Sequence, residues 1–331
     1  MEFKEIIPPV DKALLEAELN EETFLRKTNN GGNELYVFSN KNAPNLMREV
    51  GRLRELSFRT AGGGSGEEVD IDEFDINDDP YQQLIVWDPQ HHDILGGYRF
   101  YIPAEGAKGD YIASHLSTSH YFNFSQDFLD NYLPCTLELG RSFVQPAYQS
   151  TQRARRGIYA LDNLWDGLGA LMVEHPEMKY FFGKVTMYGH YNKEARNVLL
   201  YFLNKYFPDT EKLVTPIETL NTNVNEAEMQ RLFNTGNYED DYKVLSKKIR
   251  SLGETIPPLI NAYMSLSPSL RVFGTMVNRD FGEVEETGIM ITINDLYEAK
   301  IERHVKTYQR VRYFFHRDTL FRPYRRYKQQ D

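Results

Sequence analysis

Hydrophobic and polar positions along the chain switch between two periods, and the switches mark its elements. "NELYVFSN" (33–40) reads as a first strand. "NLMREVGRLRELSFRT" (45–60) changes to helical spacing, with Leu46, Met47, Val50, Leu53 and Leu56 toward one side. "AGGGSG" (61–66) is a loop, and it lacks the Gly-Lys-Ser/Thr ending of a phosphate-binding P-loop. "YQQLIVWDPQHHDILGGYRFYI" is strand, turn and strand, hence a hairpin. "SQDFLDNYLP" is a short helix or turn, and "CTLELGRSFV" a strand. "RRGIYALDNLWDGLGALMVEH" is the clearest helix, with Ile158, Leu161, Leu164, Trp165, Leu168, Leu171 and Met172 at helical spacing. "KYFFGKVTM" is a strand and "NKEARNVLLYFLNKYF" another amphipathic helix, which Asn192 can cap. "IPPLINAYMSL" predicts a helix after its prolines, and "LRVFGTMVN" and "TGIMITIN" a last strand pair.

Strands and helices are mixed rather than strictly alternating. That argues for an α+β fold with a mixed, mostly antiparallel sheet flanked by helices. No linker is rich enough in Pro, Gly or Ser to divide the 331 residues. The expectation is one domain (1–331) with an N-terminal extension (1–44), a polar, partly helical insertion (208–255) and a basic aromatic tail (303–331).

Charge changes this picture at one end. The net charge is −10, but from Arg303 onward nine Lys/Arg face only Asp318 and Asp331. Basic residues interleaved with aromatics suit peripheral contact with an anionic membrane or an acidic protein. The plainer reading is a solvated helix end that packs its aromatics on the core. No nucleic-acid partner is expected. The acidic N-terminus has no apolar core of a signal peptide, and no run approaches the roughly 18 apolar residues of a membrane span. The lone Cys135 reads as a buried residue beside a strand and suits a reducing cytoplasm.

"TLELGRSF" (136–143) poses the chemical question. Glu138 and Arg141 are three apart, so a regular strand would point them to opposite faces. Other polar residues interrupt ordered surroundings. Arg54 shares a helix face with Phe58, Asp70, Asp72 and Asp75 lie in "DIDEFD", and Arg99 ends the hairpin in "GGYRF". The acidic run is not an EF-hand, because Phe74 and Asp75 stand where a ligand and a glycine belong. Taken singly, each of these sites reads as a solvated loop or a structural ion pair.

Together, "RELSF … DIDEFD … LIVWD … LGGYRF … LELGRSFVQPAY" resembles the amino-acid N-acyltransferases of ornithine-lipid and glycine-lipid synthesis. These belong to the acetyltransferase-fold (GNAT) superfamily, are often labelled hemolysin-like, and are cousins of the acyl-homoserine-lactone synthases. The C-terminal "IPPLINAYMSLSPSLRVFGTMVNRDFGEVEETGIMITI" is similar to that family's closing segment and not to the synthases'.

The resemblance implies transfer of a long-chain, 3-hydroxy fatty acyl group to a small amino acid's α-amine. Glycine is favoured and ornithine comes next, and the reaction would be the first step of aminolipid synthesis. In this frame Glu138 is the candidate base. Arg99 and Arg141 are candidates to clamp the acceptor's carboxylate, a task Lys does poorly. Asp72, Asp75 and Arg54 would hold those arginines. In that family's fold the Glu-Leu-x-Arg strand is bulged; with Gly140 as its natural place, a bulge would return Glu138 and Arg141 to one side, and its unpaired N–H could polarise the thioester. No cofactor is expected to be permanently bound. The donor would be a 4'-phosphopantetheine thioester, on acyl carrier protein rather than coenzyme A. The "QRARRG" stretch, with Arg153, Arg155, Arg156 and Gly157, has one glycine where the superfamily's phosphate loop has two. Tyr191 and Tyr201 are candidates to protonate the leaving thiolate.

Other classes fit less well. The eight histidines form no HExxH or other metal set, and no Gly-x-Ser-x-Gly elbow is present. Cys135 has no histidine close in sequence for nucleophilic work. A lactone synthase is the nearest enzymatic alternative, and a non-catalytic membrane- or partner-binding protein on the same fold is the second. The expected location is the cytoplasm, with the inner membrane face as the place of any peripheral contact.

Overall fold

The structure is a computed structural model, and it describes residues 3–149 and 159–310. Its strands are, in chain order, β1 (Phe24–Lys27), β2 (Glu34–Phe38), β3 (Gln82–Asp88), β4 (Asp93–Tyr101), β5 (Phe122–Phe124), β6 (Thr136–Val144), β7 (Tyr180–Met187), β8 (Val214–Pro216), β9 (Arg271–Asn278) and β10 (Val284–Thr292). They fall in two compact units. The first takes the described residues of Met1–Ile102, Leu137–Lys179 and Leu296–Asp331, the second Pro103–Thr136 and Tyr180–Asp295.

In the first unit β1, β2, β3, β4 and β6 pair in that order, each antiparallel to its neighbour. Two helices cover this sheet. Pro44–Thr60 starts with proline at its first position, where no N–H is needed, and buries Leu46, Met47, Val50, Leu53 and Phe58. Leu56 is only half-buried. Ala160–Glu174 differs from its expected stripe. Leu164, Leu168 and Leu171 are buried, but Leu161, Trp165 and Met172 are half-buried. Fully buried instead are Ala160, Asn163, Asp166, Gly167 and Ala170, because the helix is enclosed by polar segments as well as by the sheet.

The second unit holds the antiparallel run β7–β10–β9 and the small pair β5–β8. An isolated parallel bridge joins Pro208 to Val272. Lys193–Tyr206 is capped by the Asn192 side chain, which accepts from the N–H groups of Glu194 and Ala195. The polar stretch 208–255 contributes β8 and the helices Glu226–Leu232 and Tyr238–Ser251. The fold is thus α+β, with mostly antiparallel sheets flanked by helices.

Several elements escaped the periodicity. The helix Lys12–Glu18, β1 and the pair β5–β8 are too short to show a repeat. Cys135 is half-buried in a 3-10 turn (Leu133–Cys135) ahead of β6, not buried as expected, because that turn leaves one side open. No described helix is long and apolar enough to cross a membrane. Of the basic tail, 311–331 lies outside the described residues. Tyr308, the tail's aromatic among those described, is buried, donates to Glu174 and lies under the Arg26 guanidinium.

Candidate active site

The local folding that builds the site begins at Gly51. A Cβ there would lie 2.6 Å from Ile71 Cγ1, so only glycine lets the acidic segment lie against the helix. The Asp70 N–H then donates to the Gly51 carbonyl at 3.0 Å. Two residues on, Asp72 caps the one-turn helix Glu73–Ile76 in a capping box with Asp75. These contacts set all three aspartates under the inward face of Pro44–Thr60.

Arg54, on that face and fully buried, donates from Nε to Asp70 at 2.9 Å and from Nη2 to Asp75 at 3.1 Å. Arg99 comes from β4 and donates from Nη1 to Asp72 at 2.6 Å and to Asp75 at 3.1 Å. Arg141 Nε lies 3.0 Å from Asp70, an ion contact outside hydrogen-bond geometry, and Nη2 is 3.4 Å from Asp72. The six side chains close a ring in which every arginine touches two aspartates and every aspartate two arginines. Gln83 adds a bond to Asp75 at 3.0 Å.

The ring is formally neutral, which is how it tolerates burial. Burial pushes the Asp70 carboxyl up, but Arg141 and Arg54 outweigh it and hold the group below its ordinary range. Asp72 is likewise raised by burial and lowered further by Arg99 and Arg141. Burial lowers Arg99, yet Asp75 and Asp72 raise it above the usual guanidinium value.

Arg141 enters the ring through a bulge. β4 and β6 pair Arg99 with Gly140 and Gly97 with Phe143, so β6 spends three steps where β4 spends two. The extra residue lies between Gly140 and Phe143, and Arg141 itself takes the left-handed conformation, at φ 52°. The bulge is where the resemblance implied, but the arginine and not the glycine carries the unusual backbone. Gly140 instead lies flat under Arg99, whose Nε and Cγ a Cβ would touch at 3.7 and 3.8 Å. That Nε–H is buried with no hydrogen-bond partner among the described residues.

Glu138 stands opposite Tyr101 on the same face as Arg99 and is 1% exposed. Its carboxylate accepts a hydrogen bond from the Tyr81 hydroxyl. Tyr81 is buried too, its ring 4.9 Å from the Arg99 guanidinium and 5.3 Å from Tyr101. Ring and carboxylate are therefore joined through one phenol.

The structure brings together Arg54, Asp72, Asp75, Arg99, Glu138 and Arg141. It adds Asp70, to which the sequence assigned no role, and Gln83 and Tyr81, which sequence reasoning missed. Tyr81 opens the hairpin segment and looks there like one more apolar position. Gly51, a helix-interior glycine on a buried face, was the signal available for a close approach. Arg153, Arg155, Arg156 and Gly157 lie outside the described residues. The Tyr191 hydroxyl donates to the Thr255 carbonyl, and burial pushes it up to about 12. Tyr201 donates to Glu226. Among the described residues no cluster of His, Cys, Asp or Glu is arranged to hold a metal ion.

Comparison with known proteins gives this cluster its context. The acetyltransferase (GNAT) domain family matches residues 53–157, the stretch that contains Arg54, the aspartates, Arg99, Glu138 and Arg141. A glycine N(alpha)-acyltransferase of Bacteroides thetaiotaomicron is 53% identical over 306 residues, 92% of this chain and 91% of that one. The chain belongs to the GNAT amino-acid N-acyltransferases. A second such relative, from Phocaeicola vulgatus and also named glycine N(alpha)-acyltransferase, is 51% identical over 92% of this chain and 94% of its own. A solved aminoglycoside 6'-N-acetyltransferase complexed with coenzyme A aligns over 78% of this chain at 11% identity. Its TM-score of 0.34 is too low to bear on the reaction. As a GNAT amino-acid N-acyltransferase the protein is an enzyme, and its reaction joins an acyl group to an amino acid's nitrogen.

Proposed function

We propose that this acyltransferase moves a long-chain, 3-hydroxy fatty acyl group from the phosphopantetheine thioester of acyl carrier protein to the α-amine of glycine. The observation that carries the acceptor is the identity, above half over nearly the whole chain, to two relatives named for glycine. The ring supports it. Ornithine brings a side-chain ammonium that needs a carboxylate, and Asp70, Asp72 and Asp75 each already hold two arginines. Glycine makes no such demand.

The acceptor arrives as an ammonium and cannot attack until it loses a proton. Glu138 takes that proton, directly or through a water. The amine attacks the thioester carbonyl, and the charge that develops on oxygen falls to a backbone N–H at the β6 bulge. The C–N bond forms, the C–S bond breaks, and the nitrogen's second proton goes to the departing thiolate. The first proton leaves Glu138 for solvent. Arg99, with the Nε–H that the ring leaves over, holds the acceptor's carboxylate beside Arg141. The aspartates and Arg54 fix those guanidinium groups. The product is an N-acyl amino acid, which fits a first step of aminolipid synthesis.

Mass spectrometry of the purified chain with long-chain 3-hydroxyacyl carrier protein and a panel of amino acids tests this. The expected product is N-acylglycine, lost in a folded Glu138→Ala variant. Preference for ornithine, or for coenzyme A as donor, would correct the respective part. No product with any acceptor would overturn the reading.

A further inference from the structure

We propose that Tyr81 is a positioning residue for Glu138: its hydroxyl donates to the carboxylate and holds it in the ionised form that receives the acceptor's proton. The inference rests on the reading of Glu138 as the base. The resemblance in sequence gives Tyr81 no role, and Tyr81 stands outside the Arg–Asp ring.

The geometry is specific. Tyr81 is 1% exposed and its N–H is tied to the Phe74 carbonyl at 2.9 Å, so the phenol starts from a fixed backbone. Phe74 meets the ring edge-on at 5.8 Å and Tyr101 lies 5.3 Å away. The Arg99 guanidinium stands over its face. A cation there draws electron density from the phenol and makes its O–H a stronger donor. That hydroxyl meets Glu138 Oε2. A hydrogen bond given to the ionised carboxylate favours that form, so Tyr81 keeps the base ready to accept. Tyr101 stands opposite Glu138 on β4 and donates to Asp79, and Arg99 lies two residues along on the same face, bound to Asp72 and Asp75.

Tyr81→Phe removes the hydroxyl and keeps the ring. In the full chain, kcat/KM for glycine would be followed from acid to alkaline pH with acyl carrier protein as donor. The acid limb should move to higher pH, because the carboxylate loses a donor that favours its ionised form. kcat should fall about 10- to 100-fold, with KM for the donor unchanged. Incorporating 3-fluorotyrosine at position 81 alone of the otherwise native chain makes the phenol a stronger donor without removing it. The limb should then move the other way, to lower pH. This second measurement decides the matter should Tyr81→Phe not fold. An unshifted limb in both experiments overturns the inference. Glu138→Gln separates the two levels. If that variant folds and is inactive while Tyr81→Phe behaves as wild type, only the role of Tyr81 is lost. If Glu138→Gln keeps full activity, the base assignment fails and Tyr81 fails with it.

Discussion

Asp75 is the residue on which most of the ring converges. It collects donors from Arg54, Arg99, Gln83 and the backbone N–H of Asp72, and none of it is exposed. Asp75→Ala would leave two buried guanidinium groups short of a counter-charge. The expected loss is about 3–5 kcal/mol of folding free energy, read from denaturant unfolding. Asp72, whose side chain is 29% exposed, should cost less when truncated, because water can replace it. The same residues set the response to acid. Asp70 and Asp72 titrate below the ordinary 3.8 of a free aspartate, since the arginines overcome the effect of burial. As pH falls the unfolded chain binds these protons first, so protons favour unfolding. The ring's contribution is therefore full above about pH 4 and is lost as pH falls through the lower folded values. Thermal midpoints should hold between neutral and mildly acidic pH and then drop. Asp72→Asn should flatten that drop, and a drop of the same steepness in the variant would contradict the assignment.

At the scale of elements, the decisive contact is between the Pro44–Thr60 helix and the acidic segment at Gly51. Gly51→Ala puts a methyl where Ile71 Cγ1 lies. The expected penalty is about 1–3 kcal/mol of overpacking, together with lost activity as the aspartates move from the arginines. Ile71→Ala in the same chain frees the space, so the double variant should recover stability and activity relative to Gly51→Ala. Paired melts and assays check this, and no recovery would mean that the contact does not place the segment. Much at this scale was legible. The Pro44–Thr60 helix, the β3–β4 hairpin, the Asn192 cap and β7, β9 and β10 follow from period and end signals, which are local properties. The buried face of Ala160–Glu174 was not. Asn163 and Asp166 lie inside because partners far away in sequence satisfy them. Asn33 donates to Asn163, and Asn29 to Asp166.

At the scale of the whole chain, the first unit is assembled from three separated stretches, and Asp166 ties them. Its carboxylate accepts from the backbone and side chain of Asn29, near the start, and meets His304 Nδ1 at 2.7 Å, near the end. Gly169 lets that terminal segment lie close, since a Cβ would come within 2.4 Å of the His304 carbonyl oxygen. Asp166→Ala should therefore destabilise the protein by about 2–4 kcal/mol, through buried groups left without partners. It should also raise hydrogen exchange in residues 298–310 more than in β3 and β4. Uniformly raised exchange would argue that Asp166 is one core residue among many and not a tie.

The sequence by itself determined the residue types and their order: an arginine before a phenylalanine on a helix, an acidic run, an arginine ending a hairpin, and a Glu-Leu-Gly-Arg strand. That order carried the resemblance to the family. Only the tertiary structure decided which of them pair. Ion pairing depends on distances of about 3 Å between groups separated by tens of residues, and no local period reports them. The closing of three arginines and three aspartates into a neutral ring was settled there. So was the left-handed turn at Arg141 that admits it to that ring. The choice of Tyr81 as the partner of Glu138 belongs to the same level, since a tyrosine opening a strand looks alike in sequence whether its hydroxyl meets water or a buried carboxylate.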